Sequence, residues 1–306
     1  PGTQRWNAAM AKVPFYVHIS PSLTEMSAYA DIVLPACSLL EDWAYEHCPP
    51  GSGFTEVKIK QPVVDRLNED LKSVGDIIFS IATMIGGSVA QSFEKIGDNS
   101  EGFVKYRTES FISWNDFRAK GVWIGPDYEF YKYDTIFATP SKKFEFYSGN
   151  LETLLKSSGS GQIQSIACLP HYTEPEFNGD ESSYPLNLVT YQPVLNIETG
   201  SQNYPWAQEL YLVMHGYGWK NFVEINKETA NELGIKDGDE VWAESPLGKI
   251  KSKARVFHGI HPEVIAIARG QGHYYDGEWS NEIGVNPNDI TGGHYDELSG
   301  QAAFFN

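Results

Sequence analysis

From Lys249 to Val256 the chain alternates without a break: Lys249, Lys251, Lys253 and Arg255 interleave with Ile250, Ser252, Ala254 and Val256. Successive side chains leave a strand on opposite faces, so a period of two predicts a strand with one face in a core and one in water. The flanking residues extend the pattern. Pro246-Leu247-Gly248 turns the chain back onto an apolar run over 240–244, and Lys236-Asp237-Gly238-Asp239 is a further turn. Short apolar runs at 186–190, 222–225 and 264–268 read as strands. Asn226 caps a short helix over 227–233, with Glu228 favourably placed in its first turn. Many short strands, one small helix and tight glycine turns predict a closed β-barrel over 184–306.

The front of the chain reads differently. Residues 15–19 and 31–35 are short apolar runs. Between them, Ser22-Leu23-Thr24-Glu25 fits a capping box, with Ser22 as N-cap and Glu25 reaching back. Two such runs around a helix predict parallel strands of an α/β sheet. Val74, Ile77, Ile78, Ile81 and Ile85 recur at helical spacing, and Gly86-Gly87 stops the run. Gly, Ser, Pro and acidic residues around 149–161 and 170–185 predict a linker. The expected organisation is an α/β part over 1–160, a linker over 161–183 and a barrel over 184–306. A chain that reaches an internal strand by residue 15 reads as cut from something longer.

Composition narrows the functional classes. A net charge of −17 argues against nucleic acid, which needs clustered Lys and Arg. No stretch approaches the roughly 20 consecutive apolar residues of a membrane span, so work at a membrane requires another subunit as anchor. Cys37, Cys48 and Cys168 form neither a zinc pattern nor a disulfide framework, and by themselves they cannot hold an iron–sulfur cluster. His258 and His261 are spaced HxxH without a third ligand nearby and read as surface residues.

Four stretches in order resemble one family, the molybdopterin oxidoreductases of the dimethyl sulfoxide reductase type. They are Thr24-Glu25-Met26-Ser27-Ala28-Tyr29-Ala30-Asp31-Ile32-Val33-Leu34-Pro35; Thr139-Pro140-Ser141-Lys142-Lys143-Phe144-Glu145-Phe146-Tyr147-Ser148; Val223-Glu224-Ile225-Asn226 leading to Ala230, Leu233-Gly234-Ile235 and Asp237-Gly238-Asp239-Glu240-Val241; and Asn288-Asp289-Ile290-Thr291. The resemblance implies an α/β remnant (parallel sheet with helices) followed by a mostly β, double-psi-type barrel. It also implies a bis(molybdopterin guanine dinucleotide) cofactor carrying molybdenum or tungsten. One dinucleotide is expected across the α/β sheet and the other against the barrel. Any iron–sulfur cluster belongs to an upstream region, and Cys37 reads as a buried small residue because the family's metal ligand lies far upstream. The tail from Gly270 is most similar to polysulfide- and thiosulfate-reductase-like respiratory subunits. Implied partners are an iron–sulfur electron-transfer subunit and a membrane anchor subunit, with periplasmic or membrane-associated placement through them.

The same resemblance nominates cofactor-binding residues, each with a plainer reading beside it. Thr190, Tyr191 and Gln192 follow a strand where relatives place a cofactor loop. Gln192 replaces an Arg common in the family, and the plain reading is a strand-to-loop junction. Asn203 lies where that loop returns, or is a turn element before Tyr204-Pro205. Asn288 matches the family position that reaches the cofactor, its amide able to donate and accept; otherwise it belongs to an Asn-rich turn. Gly270, Gln271 and His273 form a loop that brings backbone near a ligand, or a strand-ending turn. Thr24 is nominated through its helix N-terminus, with capping as the plain role. No catalytic acid, base, nucleophile or metal ligand is expected in this chain.

Two functions remain open from sequence. In the first, the chain is the cofactor-clamping end of a respiratory oxidoreductase, acting on an inorganic sulfur compound, and binds the released cofactor only weakly alone. In the second it is a scaffold or electron-relay relative that kept the fold and lost the metal.

Overall fold

A computed structural model of the chain describes residues 2–48, 53–129, 137–157, 165–172, 174, 179–194, 200–215, 219–275, 277–295 and 300–303. Contacts group Pro1–Pro35 with Pro175–Asn306 in one compact unit and Ala36–Glu174 in another. The sequence reading draws one cut, at 161–183. The contacts add a second, after Pro35, because the first 35 residues hydrogen-bond to the end of the chain. Within the expected linker, 161–164, 173 and 175–178 lie outside the described residues.

The first unit begins with helix α1 (Thr3–Met10) and strands β1 (Val17–Ser20) and β2 (Ile32–Pro35). The two strands pair in parallel, Val17 opposite Ile32, as expected. The turn between them differs from expectation. It is a 3-10 helix, Glu25–Tyr29, with Thr24 rather than Ser22 as N-cap. The Ser27 hydroxyl accepts from the Thr24 N–H at 2.9 Å, so Glu25 is not needed to reach back.

The second unit is antiparallel, against the expected continuation of a parallel sheet. Strands β3 (Ala44–Cys48), β4 (Phe54–Lys60) and β5 (Val122–Asp127) form one antiparallel sheet. Only five residues separate β3 from β4, enough for a hairpin and too few for a parallel crossover. Helices α2 (Val74–Ile85), α3 (Gly87–Glu94), α4 (Ser100–Thr108) and α5 (Trp114–Lys120) lie between β4 and β5 in sequence. Ser73, Asn99 and Ser113 cap α2, α4 and α5. Val57, Val104 and Phe117 make the core, packed by Trp43, Trp114 and Trp123. A further helix, α6 (Gly149–Ser157), occupies part of the Gly/Ser-rich stretch read as linker. Leu151, Leu154 and Leu155 share a face there, and Lys156 pairs with Glu152 at 2.5 Å.

The remainder of the first unit contains β6 (Asn187–Tyr191), α7 (Pro205–His215), β7 (Phe222–Ile225), α8 (Lys227–Leu233), β8 (Glu240–Ser245), β9 (Gly248–Val256), β10 (Val264–Ala268), β11 (His294–Tyr295) and β12 (Ala302–Ala303). The alternating segment is β9. Its Ile250 and Ala254 are buried, while its three lysines are exposed. Asn226 caps α8 by accepting from the Glu228 N–H at 2.7 Å, as its position predicts. Five strands run in the order β6-β10-β7-β9-β8, with β6∥β10 and β7∥β9 parallel and the other pairs antiparallel. Among the described residues β6 and β8 do not pair, so the sheet curls into a half-barrel rather than closing. Val223, Ala243, Ile250 and Ile267 form its core with Ile290. Each of its Val and Ile side chains contributes about 1.5–3 kcal/mol on burial.

A set of buried amides holds the loops at one end of this sheet. Asn221, 2% exposed, enters β7. Its Nδ2 donates to the Ala268 and Val285 carbonyls, both at 2.8 Å, and its Oδ1 accepts from the Val285 N–H at 2.8 Å. Its own N–H donates to Gln271 Oε1 at 2.5 Å. Gln271 Nε2 donates to the Trp219 carbonyl at 2.5 Å and to Gln208 Oε1 at 3.4 Å. Gly284, at φ +69°, lies against this knot. A Cβ there would fall 2.3 Å from Gln271 Oε1 and 2.6 Å from Asn221 Oδ1. Asn221→Ala would strand three buried backbone groups and should lower unfolding free energy by about 2–4 kcal/mol. Urea denaturation measures this, and a loss under about 0.5 kcal/mol would show that the amide is not structural.

Candidate functional site

The amide knot fixes two loops, 270–274 and 284–288, that line one polar cleft of about 210 Å³ within the first unit. Its walls also include Thr3, Asn7 and Glu25. Of the nominated residues, Gly270, Gln271, His273 and Asn288 meet here, and Thr24 is adjacent through Glu25. Gly272, at φ +83°, is needed for this approach: a Cβ would fall 2.3 Å from the Asn286 N. The Gly272 N–H donates to the Ile283 carbonyl at 2.8 Å, and the Glu282 N–H to the His273 carbonyl at 2.8 Å. The loop is therefore rigidly backed.

Charge enters the cleft as a pair. His273 Nδ1 donates to Glu25 Oε1 at 3.0 Å, and the Tyr274 N–H donates to the same oxygen at 3.1 Å. Burial works against ionisation of Glu25, but hydrogen bonds from His273 and the backbone, with the His273 charge, hold its carboxyl below the usual range. The Glu25 hydrogen bond lifts His273 above the ordinary histidine range, against burial. Asn288 contributes differently. Its N–H donates to Asn286 Oδ1 at 3.0 Å, while its side-chain amide makes no hydrogen bond among the described residues. That amide, with two donors and an acceptor, lines the cleft and is available to a ligand.

The other nominated residues have structural partners. Gln271 lines the cleft, but its amide is engaged by Asn221, Trp219 and Gln208, so it acts by positioning the loop. Thr190 lies in β6 opposite Ile267. Tyr191 is half-buried, and its hydroxyl hydrogen-bonds Glu224 beside Arg255. Burial and the Glu224 charge push it up to about 12. Gln192 follows β6, half-buried. Asn203 Oδ1 accepts from the Trp279 N–H at 3.0 Å, a turn role. Thr24 caps its 3-10 helix. His258 and His261 are exposed, as expected.

Sequence reasoning missed Asn221 and Gln208. Their only signal is an amide at the mouth of a strand and another within an apolar helix, which is common in turns and surfaces. Two larger hollows, of about 380 and 440 Å³, share Tyr184, Pro185, Leu186 and Ile265. The first is lined mostly by apolar side chains of the half-barrel, whereas the second also takes in Asp180, Glu181, Asn187, Glu244 and Ser245.

Comparison with known proteins adds an independent line. Residues 186–306 match the model of the molydopterin dinucleotide binding domain. The whole chain is 31% identical to the arsenate respiratory reductase molybdopterin-containing subunit of Shewanella sp. (strain ANA-3), of which it spans 42%. Over 82% of its length it is 27% identical to the thiosulfate reductase molybdopterin-containing subunit of Salmonella typhimurium, of which it spans 33%. Its fold is that of acetylene hydratase from Pelobacter acetylenicus over 99% of this chain and 40% of that one. The TM-score is 0.74 and the identity 19%. Identity is thus higher to the arsenate than to the thiosulfate enzyme.

The Glu25–His273 pair makes the cleft's stability depend on pH. Because His273 is raised, its contribution is complete below the ordinary histidine value of about 6.5 and is lost as pH climbs through the raised value. Because Glu25 is lowered, its contribution is complete above the ordinary value of about 4.3 and is lost as pH falls through the lowered one. The stability difference between wild type and His273→Gln should therefore be largest between about pH 5 and 6.5 and shrink above it. Urea midpoints at a series of pH values test this, and a difference that stays flat to pH 9 would contradict it.

Proposed function

We propose that the chain is part of a molybdopterin oxidoreductase of the dimethyl sulfoxide reductase type, the family of the relatives it resembles, and that it clamps the nucleotide part of a bis(molybdopterin guanine dinucleotide) cofactor in a respiratory reductase. The observation that carries this reading is the open side-chain amide of Asn288 beside the rigid glycine loop 270–272. Backbone that approaches closely and an amide that both donates and accepts match phosphate oxygens, ribose hydroxyls and purine edges. When bound, the molybdenum- or tungsten-pterin supplies the two-electron redox chemistry.

The residues present bind and orient. Asn288 and the 270–272 backbone face the ligand, Gln271 and Asn221 hold the loop, and Glu25–His273 ties the segment before β2 to it. The half-barrel belongs to a double-psi-type barrel. The metal ligand and any iron–sulfur cluster belong to other parts of the subunit. The partners are an iron–sulfur electron-transfer subunit and a membrane anchor subunit, which together hold the protein at the membrane or in the periplasm. The substrate is a small inorganic acceptor, an arsenic oxyanion or a sulfur compound, the class shared by the two relatives' names.

Molybdenum, tungsten and acid-released guanine nucleotide, measured on the holoprotein, test this reading. Stoichiometric metal with nucleotide is expected, and absence of both would leave the scaffold reading. Asn288→Ala should weaken retention of cofactor by up to about tenfold, the worth of a hydrogen bond of about 0.5–1.5 kcal/mol, without moving the unfolding midpoint. Unchanged metal and nucleotide content would contradict the role of Asn288.

A further inference from the structure

The half-barrel has two open edges. Among the described residues β6 pairs with β10 alone and β8 with β9 alone, so each has one side without a neighbouring strand. Such edges invite addition of a further strand, and proteins ordinarily blunt them with lysine, proline or a bulge. Neither β6 nor β8 contains Lys, Arg or Pro. The exposed side chains of β8 are Glu240, Trp242 and Glu244.

The two hollows of about 380 and 440 Å³ both take in residues of β8 and of the stretch that leads into β6. Asp180, Glu181 and Glu244 line the larger one beside an apolar floor, and among the described residues no Lys or Arg lines either. Asp180 is fixed in place, because its carboxylate accepts from the Ser183 N–H at 3.0 Å and from the Ser182 hydroxyl. Gly179, at φ +91°, seats that turn against Pro246: a Cβ there would fall 2.7 Å from the proline ring. Lys249 faces Glu244 across the β8–β9 pair, but its ammonium lies 5.1 Å over the Trp242 ring. The groove therefore combines an open strand edge, apolar depth and an acidic rim.

We propose that this groove docks an extended segment of a partner protein, added as a strand along the open edge of β8, with apolar side chains at alternate positions and a Lys or Arg beside them. Alternate side chains of a strand share a face, so the apolar ones enter the hollows while main-chain hydrogen bonds to β8 hold the segment. The basic residue meets the acidic rim, which sets register and selects the partner. The same rim turns phosphate away. The larger hollow takes in the starts of β6 and β10, whereas the 270–274 loop of the cleft follows the end of β10, so the groove is separate from the cleft. A second copy of the chain is a poor occupant: its own open edges offer no cation, and at a net charge of −17 the copies repel. The assignment does not depend on the cofactor reading.

The test titrates peptides into the 306-residue chain, followed by calorimetry and amide chemical shifts. The probe alternates valine with serine and carries a lysine at each end, its termini acetylated and amidated. It should shift the amides of β8 and of Leu186 and Leu188. It should bind about tenfold or more tightly than the same peptide with glutamate at its ends or with serine in place of valine. Glu181→Gln combined with Glu244→Gln should weaken the probe about threefold or more, since exposed charge pairs are individually weak and two are removed together. Equal binding of the glutamate-ended or the all-serine peptide would overturn the proposal, as would shifts confined to the 270–288 loops. No binding at about 1 mM probe would do the same. A chain that sediments as a dimer with its β8 amides already protected from exchange would put a second copy in the groove and also overturn it. The peptide comparison is made on the unaltered chain, so it stays decisive should the double variant fail to fold.

Discussion

The cleft depends on one buried amide. Asn221 satisfies backbone groups of Ala268, just before one of the two loops lining the cleft, and of Val285, within the other, and receives support from Gln271 in the first. In a low-dielectric interior each of these hydrogen bonds is strong when made and expensive when lost, so the set acts as a unit. That is why Gly284 must be glycine and why Gln271 cannot also serve a ligand. A site that must hold a large polar cofactor gains from such backing, because a loop already rigid loses little freedom on binding.

A second tie explains the discontinuous unit. Glu25, released from capping by Ser27, reaches His273 and the Tyr274 N–H across nearly 250 residues of sequence. The Gly2 N–H does the same with the Thr291 carbonyl. These contacts join α1, β1 and β2 to the half-barrel unit and put Thr3 and Asn7 in the cleft wall. The region 186–306, which matches the molydopterin dinucleotide binding domain, contains both lining loops, and the N-terminal segment completes the walls.

Local structure was largely legible in the sequence. Alternation located β9, the Asn226 cap located α8, and Ile77, Ile81 and Ile85 with Gly86 located α2, because periodicity and capping are set by nearby residues. Pairing direction in the second unit and the open edge of the half-barrel were not legible, since they depend on partners distant in sequence. Helix α6 hid in a Gly/Ser-rich stretch because a Leu stripe and one ion pair outweighed composition. Among the residues nominated through the family resemblance, Gly270, Gln271, His273 and Asn288 line one cleft in the structure. Tyr191 and Asn203 were nominated by the same route but have partners in Glu224 and Trp279, and no single-sequence signal distinguishes an amide or phenol used internally from one offered to a ligand.

A crystal structure of the cofactor-loaded protein tests the central claim most directly. The account predicts guanine nucleotide density against the 270–273 backbone and the Asn288 amide, with the Asn221 hydrogen bonds intact. Nucleotide seated instead in the apolar hollow beside Tyr184 and Leu186, with the 270–273 loop untouched, would contradict it.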